Sequence, residues 1–205
     1  MEPEVKLSVI LRRAVAVIVT GCLLAGCTSS VVVDYVPANN PGRAPLAGAE
    51  SVKLTLVASD RRVVARNELA IFQNVDGHVV YQVAAGNDIV LLVRGTLERE
   101  FRALGFGIGS GGPTVDIFLE EFYNRFERVP LFIFSARADV RFRLKVTNAA
   151  GVPLYDQFYS GVGTVGAAPF ATGSVAKVAL DKAFTKAVTQ VIEDGRLQRA
   201  LLPAP

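Results

Sequence analysis

Ala136-Arg137-Ala138-Asp139-Val140-Arg141-Phe142-Arg143-Leu144-Lys145-Val146-Thr147 alternates apolar and polar residues without a break. Side chains of a strand point to opposite faces in turn, so Ala136, Ala138, Val140, Phe142, Leu144 and Val146 share one face. Arg137, Asp139, Arg141, Arg143, Lys145 and Thr147 share the other. A strand with one apolar and one wet face belongs to an antiparallel sheet that packs on a core from one side only.

Its neighbours in sequence extend that sheet. Asn148-Ala149-Ala150-Gly151 is a turn, and Leu154 to Gly161 reads as the returning strand; Val115 to Tyr123 reads as the strand before. Gly161 to Gly173, with its Gly, Ala and Pro, reads as a loop. A helix capped by Ser174 follows, with an apolar stripe running from Ala176 through Leu180, Phe184 and Val188 to Ile192. Asp194-Gly195 breaks it, and Leu197 to Leu202 adds another turn or two.

Upstream, Asn87 to Leu104 forms a helix with Asn87 as N-cap, Ile89, Val93, Leu97, Phe101 and Leu104 on one face, and Gly105 as its stop. Arg94–Glu98 and Glu98–Arg102 are i,i+4 pairs on its wet side. Val63 to Gly86 reads as a hairpin or as an irregular loop with strand-like pieces. Val52 to Val57 and Val31 to Val36 read as strands, separated by a linker or long loop over residues 37–50. The expected architecture is a single two-layer α+β domain: a largely antiparallel sheet of about five strands with two helices on one face.

The N-terminus carries an address. Lys6, Arg12 and Arg13 precede an apolar run from Ala14 to Leu24, which ends in Leu24-Ala25-Gly26-Cys27. A basic region, a short apolar run and small residues at a cut site make a secretory signal. The run is about half of the roughly 20 residues a membrane span needs. The ending resembles the lipobox of bacterial lipoproteins. That resemblance implies cleavage after Gly26, a diacylglycerol on Cys27, a signal peptide over 1–26 and a mature domain over 27–205. Val19-Thr20-Gly21-Cys22 fits a looser lipobox and leaves a shorter apolar run. A three-residue tether, Thr28 to Ser30, would hold the first strand about 10 Å from the lipid. Thr28 after the cysteine, where inner-membrane retention calls for Asp, implies the outer membrane.

Composition narrows the function. The chain has 22 Lys and Arg against 19 Asp and Glu, one His, two Cys and no Trp. Without its signal the net charge is about +2, too small to argue for nucleic acid. Lipidation consumes the only cysteine of the mature chain, so no internal disulfide is possible. One histidine and no free thiol disfavour zinc. Asp60, Asp76, Asp116, Glu120 and Glu121 follow no EF-hand spacing, and as neighbours on one strand Glu120 and Glu121 should point to opposite faces.

Gly107-Ile108-Gly109-Ser110-Gly111-Gly112 formally matches G-x-G-x-x-G. A dinucleotide site needs a strand before the glycines and a helix after them. Here a helix precedes and Pro113 and a strand follow, so a helix-to-strand connection is expected. Ser110 has no G-x-S-x-G context, and His78 follows the turn signal Asp76-Gly77. No metal, no cofactor and no catalytic residue are expected.

Two surfaces remain. Arg137, Arg141, Arg143 and Lys145 could hold anionic groups of an envelope protein, peptidoglycan or lipopolysaccharide. The plainer reading is a solvated sheet face whose cations pair across strands with Asp116, Glu120 or Asp156. Leu131-Phe132-Ile133-Phe134 and Val165 to Phe170 are apolar pieces beside loops; they finish the core or, exposed together, face lipid or a partner.

With these pieces in place the chain resembles the YajG family of envelope lipoproteins. The carrying features are Val31-Val32-Val33-Asp34-Tyr35-Val36-Pro37 after the cysteine, Val57-Ala58-Ser59-Asp60-Arg61, the helix running into Leu104-Gly105-Phe106, and the terminal helix ending in Asp194-Gly195-Arg196-Leu197. It departs where an Ile-Gly pair is expected and Val63-Val64-Ala65-Arg66 stands. The resemblance implies a non-enzymatic lipoprotein of the outer membrane, facing the periplasm. An auxiliary lipoprotein of an ABC-type lipid-transport system shares the same style.

Overall fold

A computed structural model describes residues 27–37, 44–73, 76–129 and 133–202. Eight strands run in the order β1 (Cys27–Val31), β2 (Lys53–Asp60), β3 (Glu68–Gln73), β4 (Val79–Ala85), β5 (Gly107–Ile108), β6 (Thr114–Val129), β7 (Ile133–Thr147) and β8 (Pro153–Ala168). Three α-helices accompany them: α1 (Ile89–Ala103), α2 (Gly173–Glu193) and α3 (Gly195–Leu201). The domain is α+β with one core, as expected, but the five-strand, largely antiparallel sheet with two helices is not what forms.

The sheet is mixed. β6, β7 and β8 are antiparallel neighbours, as the alternating stretch requires. The other edge of β6 is shared by β2 along its first half and by β3 at Asn124, both parallel to it. β3 and β4 make an antiparallel hairpin, and β1 and β5 add parallel pairs on β4 and β2. A long central strand permits this: β6 has 16 residues, roughly 50 Å at about 3.3 Å each, enough for two strands end to end along one edge.

The inner face of β7 is the one its alternation gives, with Ala136, Ala138, Val140, Phe142, Leu144 and Val146 all buried. α2 crosses this face over β6, β7 and β8, and α1 covers β2 and β5. Phe122 and Phe184 meet with ring centroids 5.7 Å apart where sheet and helix join.

β8 runs on to Ala168, through the segment that reads as a loop. Its glycines are there for contact. A Cβ on Gly161 would lie 2.0 Å from the Ala183 carbonyl oxygen of α2, and one on Gly163 1.9 Å from that of Ala179. Four residues of helix rise about 6 Å and two residues of strand about 6.6 Å. Small residues at i, i+4 on α2 therefore match glycines at i, i+2 on the antiparallel β8. The same match repeats at the strand's free edge. Lys182 Nζ donates to Thr164 O (3.3 Å) and Lys186 Nζ to Val162 O (2.9 Å), and Gln190 Oε1 accepts from Ser160 N–H (3.3 Å).

Of the expected strand Val31–Val36 only Val31 is in the ladder, as the last residue of β1. The side-chain amide of Asn87 accepts from Val33 N–H (3.2 Å) and donates to Val33 O (3.0 Å), occupying both ladder groups of that residue. Asp34 then bonds to α2 through Asp181 and Lys177, and Tyr35 packs edge-on against Phe184. With Asn87 so engaged, Asp88 is the N-cap of α1, its Oδ1 accepting from Val90 and Leu91 N–H (2.9 and 3.1 Å). Thr172 caps α2 in place of Ser174. Gly105 ends the α1 region with φ +100°. Of the expected linker over 37–50, residues 38–43 lie outside the described residues, and Ala49–Ser51 form a 3-10 turn.

Candidate functional site

The backbone of Cys27 opens β1, paired with Tyr81 of β4. The expected tether of three residues is therefore strand, not spacer. Gly26, Cys22 and the signal segment 1–26 lie outside the described residues.

The basic row stands on the outer face of β7, but carboxylates and aromatics interleave it. Asp116, Lys145 and Asp156 are level across β6, β7 and β8, as are Phe118, Arg143 and Phe158. Arg143 forms a two-pronged bond with Asp156, which holds that carboxyl below its usual range. Arg125 joins Glu121 (2.8 Å) and Asp139 (2.7 Å), and Arg137 reaches Asp139 at 3.4 Å. Arg141 and Arg143 both lie over the Phe158 ring, and Arg61 is 3.7 Å over Phe118. The face is a charge-balanced checkerboard, not a cationic strip. A bulge between Leu119 and Glu121 alters one expectation. Burial runs Val115, Ile117, Leu119 and then Phe122, so Glu120 and Glu121 both fall on the outer side.

At the turn closing β2, Arg62 grips Asp60 through Nε (3.0 Å) and Nη2 (2.8 Å), with the two side chains only 2% and 8% exposed. The hydrogen bond from Arg62 leads the causes that keep the Asp60 carboxyl below its ordinary pKa. This pair fixes the Asp60-Arg61-Arg62 turn.

A groove of about 670 Å³ lies at the end of the sheet remote from Cys27. Four segments build it: the start of β2, the glycine-rich segment, the β7–β8 turn with Leu154, and the C-terminal helix. Lys53 starts β2, flanked by β5 on one side and β6 on the other. The glycine-rich segment passes over that start. A Cβ on Gly112 would fall 2.1 Å from Lys53 O, and Thr55 bonds the loop through its hydroxyl to Gly109 O (3.0 Å) and its N–H to Pro113 O (3.0 Å). The glycines allow this close crossing; it is the helix-to-strand connection their context implies, and it brings Ser110 to the groove.

The third wall is α3 with its C-cap, which present Arg199 and Leu202. Asp194 positions it. Its Oδ1 accepts from Arg196 N–H (2.8 Å) and Leu197 N–H (3.4 Å), capping the helix. Its Oδ2 accepts from the hydroxyls of Tyr155 and of Tyr159 (3.0 Å), tying the cap to β8. Burial alone would raise the Asp194 pKa; these four hydrogen bonds outweigh it and hold it low. Burial and the same carboxylate push both tyrosines up. Val52, Pro113 and Leu154 supply apolar wall, with Leu154 44% exposed. Among the described residues the lining holds two cations, Lys53 and Arg199, and no carboxylate. Sequence reasoning passed over Lys53, Leu154 and Arg199, since only the sheet register and the Asp194 cap bring them together.

At the opposite end stand Asp76 and His78 before β4, the end of β6 with the start of β7, and the loop after β8. Phe134 pairs with Ala168, so the two apolar pieces meet at this end. Leu131 and Phe132 lie outside the described residues. Among the described residues no cluster of His, Cys, Asp or Glu could hold a metal ion, and no helix is long and apolar enough to cross a membrane.

No curated protein matches the chain. Among solved structures it is similar to a Xanthomonas campestris protein of the DUF330 family, at 10% identity and TM-score 0.56, covering 80% of this chain and 92% of that one. A minor lipoprotein from Acinetobacter baumannii is more distant, at 9% identity and TM-score 0.41, covering 78% of this chain and all of that one. The first similarity concerns the fold alone. Over residues 43–202 the sequence matches the family described as uncharacterized lipoprotein. The chain therefore belongs to this YajG-type lipoprotein family, as its resemblance implied.

Proposed function

We propose that the protein is a non-catalytic binding module, anchored through Cys27 to the periplasmic face of the outer membrane, which receives an envelope protein in the groove between Lys53 and Arg199. The observation that carries this reading is the composition and place of that groove. Apolar walls with two cations suit a segment that offers an acidic group beside apolar side chains. The groove lies most of the length of β6, roughly 50 Å, from the anchor end. That distance favours a partner in the periplasm over the lipids that hold the anchor. The outer face of β7, with its cations matched by carboxylates, supports solubility more than capture.

The test is in-cell photocrosslinking from a probe at position 154, in the native protein and in a Lys53→Glu, Arg199→Glu variant. A discrete protein adduct that disappears in the variant is expected. The same adduct in both, or none in the native protein, refutes the groove as the binding site. An adduct containing a transport ATPase complex would move the assignment to the lipid-transport accessory role.

A further inference from the structure

We propose that the sheet end carrying Cys27 is itself seated in the bilayer interface, so that the protein holds the membrane by loop tips as well as by lipid. The inference rests on the acylation of Cys27 proposed above and adds a surface to it. Register supplies the geometry. Cys27 is level with Tyr81 and Phe72, and the contact of Ala70 with Asn124 puts that row near Phe126 of β6. The β6–β7 ladder continues past this row to Val129 and Ile133, and Ala168 of β8 stands beside Phe134. These strands thus project roughly 10 Å beyond the anchored residue, at about 3.3 Å per residue. Cys27 is the first residue of β1, so no spacer lifts the domain. A lipid on that residue at the membrane surface draws the projecting tips to the same depth or past it.

The tips have the chemistry of that depth. Phe170 is 70% exposed, Val79 46% and Val80 47%, all at this end. The Tyr81 hydroxyl accepts from Gly173 N–H (2.8 Å), which fixes the start of α2 and with it the loop bearing Phe170. Arg128, exposed at the end of β6, holds its guanidinium 5.9 Å from the Phe134 ring, and Phe134 in turn packs edge-on against Phe72 at 5.2 Å. Exposed apolar side chains ringed by a cation and aromatics suit the boundary between acyl chains and headgroups.

The test uses the lipidated protein in phosphatidylethanolamine–phosphatidylglycerol vesicles. Phe170→Cys and Val152→Cys variants carry an environment-sensitive fluorophore; an acylated Cys27 leaves the new thiol as the only one to label. Val152 marks the opposite end, in the turn before β8. Spin-labelled lipids should quench the label at 170 and shift its emission to the blue, and leave the label at 152 unchanged. Both positions are exposed, and far-UV circular dichroism of each variant checks the fold. Equal emission at 170 and 152, quenched or not, on a protein whose mass shows diacylglycerol at Cys27, overturns the proposal while the anchor stands. A mass without the acyl group removes the anchor reading and this one with it.

Discussion

Replacing Gly163 by Ala tests the central packing claim. The added Cβ would stand 1.9 Å from Ala179 O and 2.7 Å from Ala183 N, both backbone atoms of α2. Ordinary contact begins near 3.4 Å, so the helix must withdraw by about 1.5 Å. No flexible side chain can absorb that shift. A gap of about 1 Å already forfeits up to half of a van der Waals contact, and the helix buries Leu180, Phe184, Val188 and Ile192 against the sheet. Overpacking of this kind costs about 3 kcal/mol, the upper part of its usual range. Removing a strand glycine returns about 0.5–1 kcal/mol. The net loss, about 2–2.5 kcal/mol, lowers Tm by roughly 4–10 °C for a domain of this size. Gly166→Ala is the control. It lies on the same strand with nothing within 4 Å of a new Cβ, so its Tm should rise by roughly 1–4 °C. Thermal unfolding followed by far-UV circular dichroism measures both. Equal Tm for the two variants would refute the claim that the glycines exist for helix contact.

Three further outcomes follow from polar groups. Asn124 is fully buried and, among the described residues, neither its Oδ1 nor its Nδ2 has a hydrogen-bond partner, so Asn124→Leu should gain about 1–3 kcal/mol in urea unfolding; a loss would refute this. Asp194→Ala should free α3, with faster amide exchange over residues 195–201 and unchanged protection in β6 and β7, at a cost of about 2 kcal/mol from the lost cap and charged hydrogen bonds. The pH dependence has two arms. The folded pKa of Asp194 is depressed, so its contribution is present above the ordinary carboxylate range near 4 and is lost as pH falls toward the depressed value. The pKa values of Tyr155 and Tyr159 are raised, so their contribution is full below about pH 10 and is lost above it. Asp194→Ala should flatten the acid arm, and Tyr155→Phe with Tyr159→Phe the alkaline arm; wild-type profiles in these variants would contradict the assignment.

What could be read from the residues followed the physics of periodicity. The twelve-residue alternation of β7 states its two faces outright, and the stripe from Ala176 to Ile192 states the buried side of α2. Signals that need a partner misled. Gly161 and Gly163 look like loop residues until an alanine-lined helix is laid on them. Val31–Val36 has strand composition, but Asn87, 54 residues away from Val33, takes its ladder groups. The two-residue β5 carries no periodicity at all. The groove was illegible for the same reason: Lys53, Leu154 and Arg199 belong to segments that only the sheet register and the Asp194 cap unite. The arginines of β7 were visible, but their neighbours Asp156, Phe158 and Glu121 became neighbours only through cross-strand register.

The side chains laid along the free edge of β8 bear on crowding. A lipid-anchored protein is confined to two dimensions, where copies share one orientation and meet edge to edge far more often than in free solution. A 16-residue strand with open carbonyls would then template growth of one sheet into the next. Lys182, Lys186 and Gln190 hold the outward groups of Thr164, Val162 and Ser160, and two of the three bring positive charge to the seam. On a chain anchored through Cys27 as proposed, the ladder would keep neighbouring copies from zipping edge to edge.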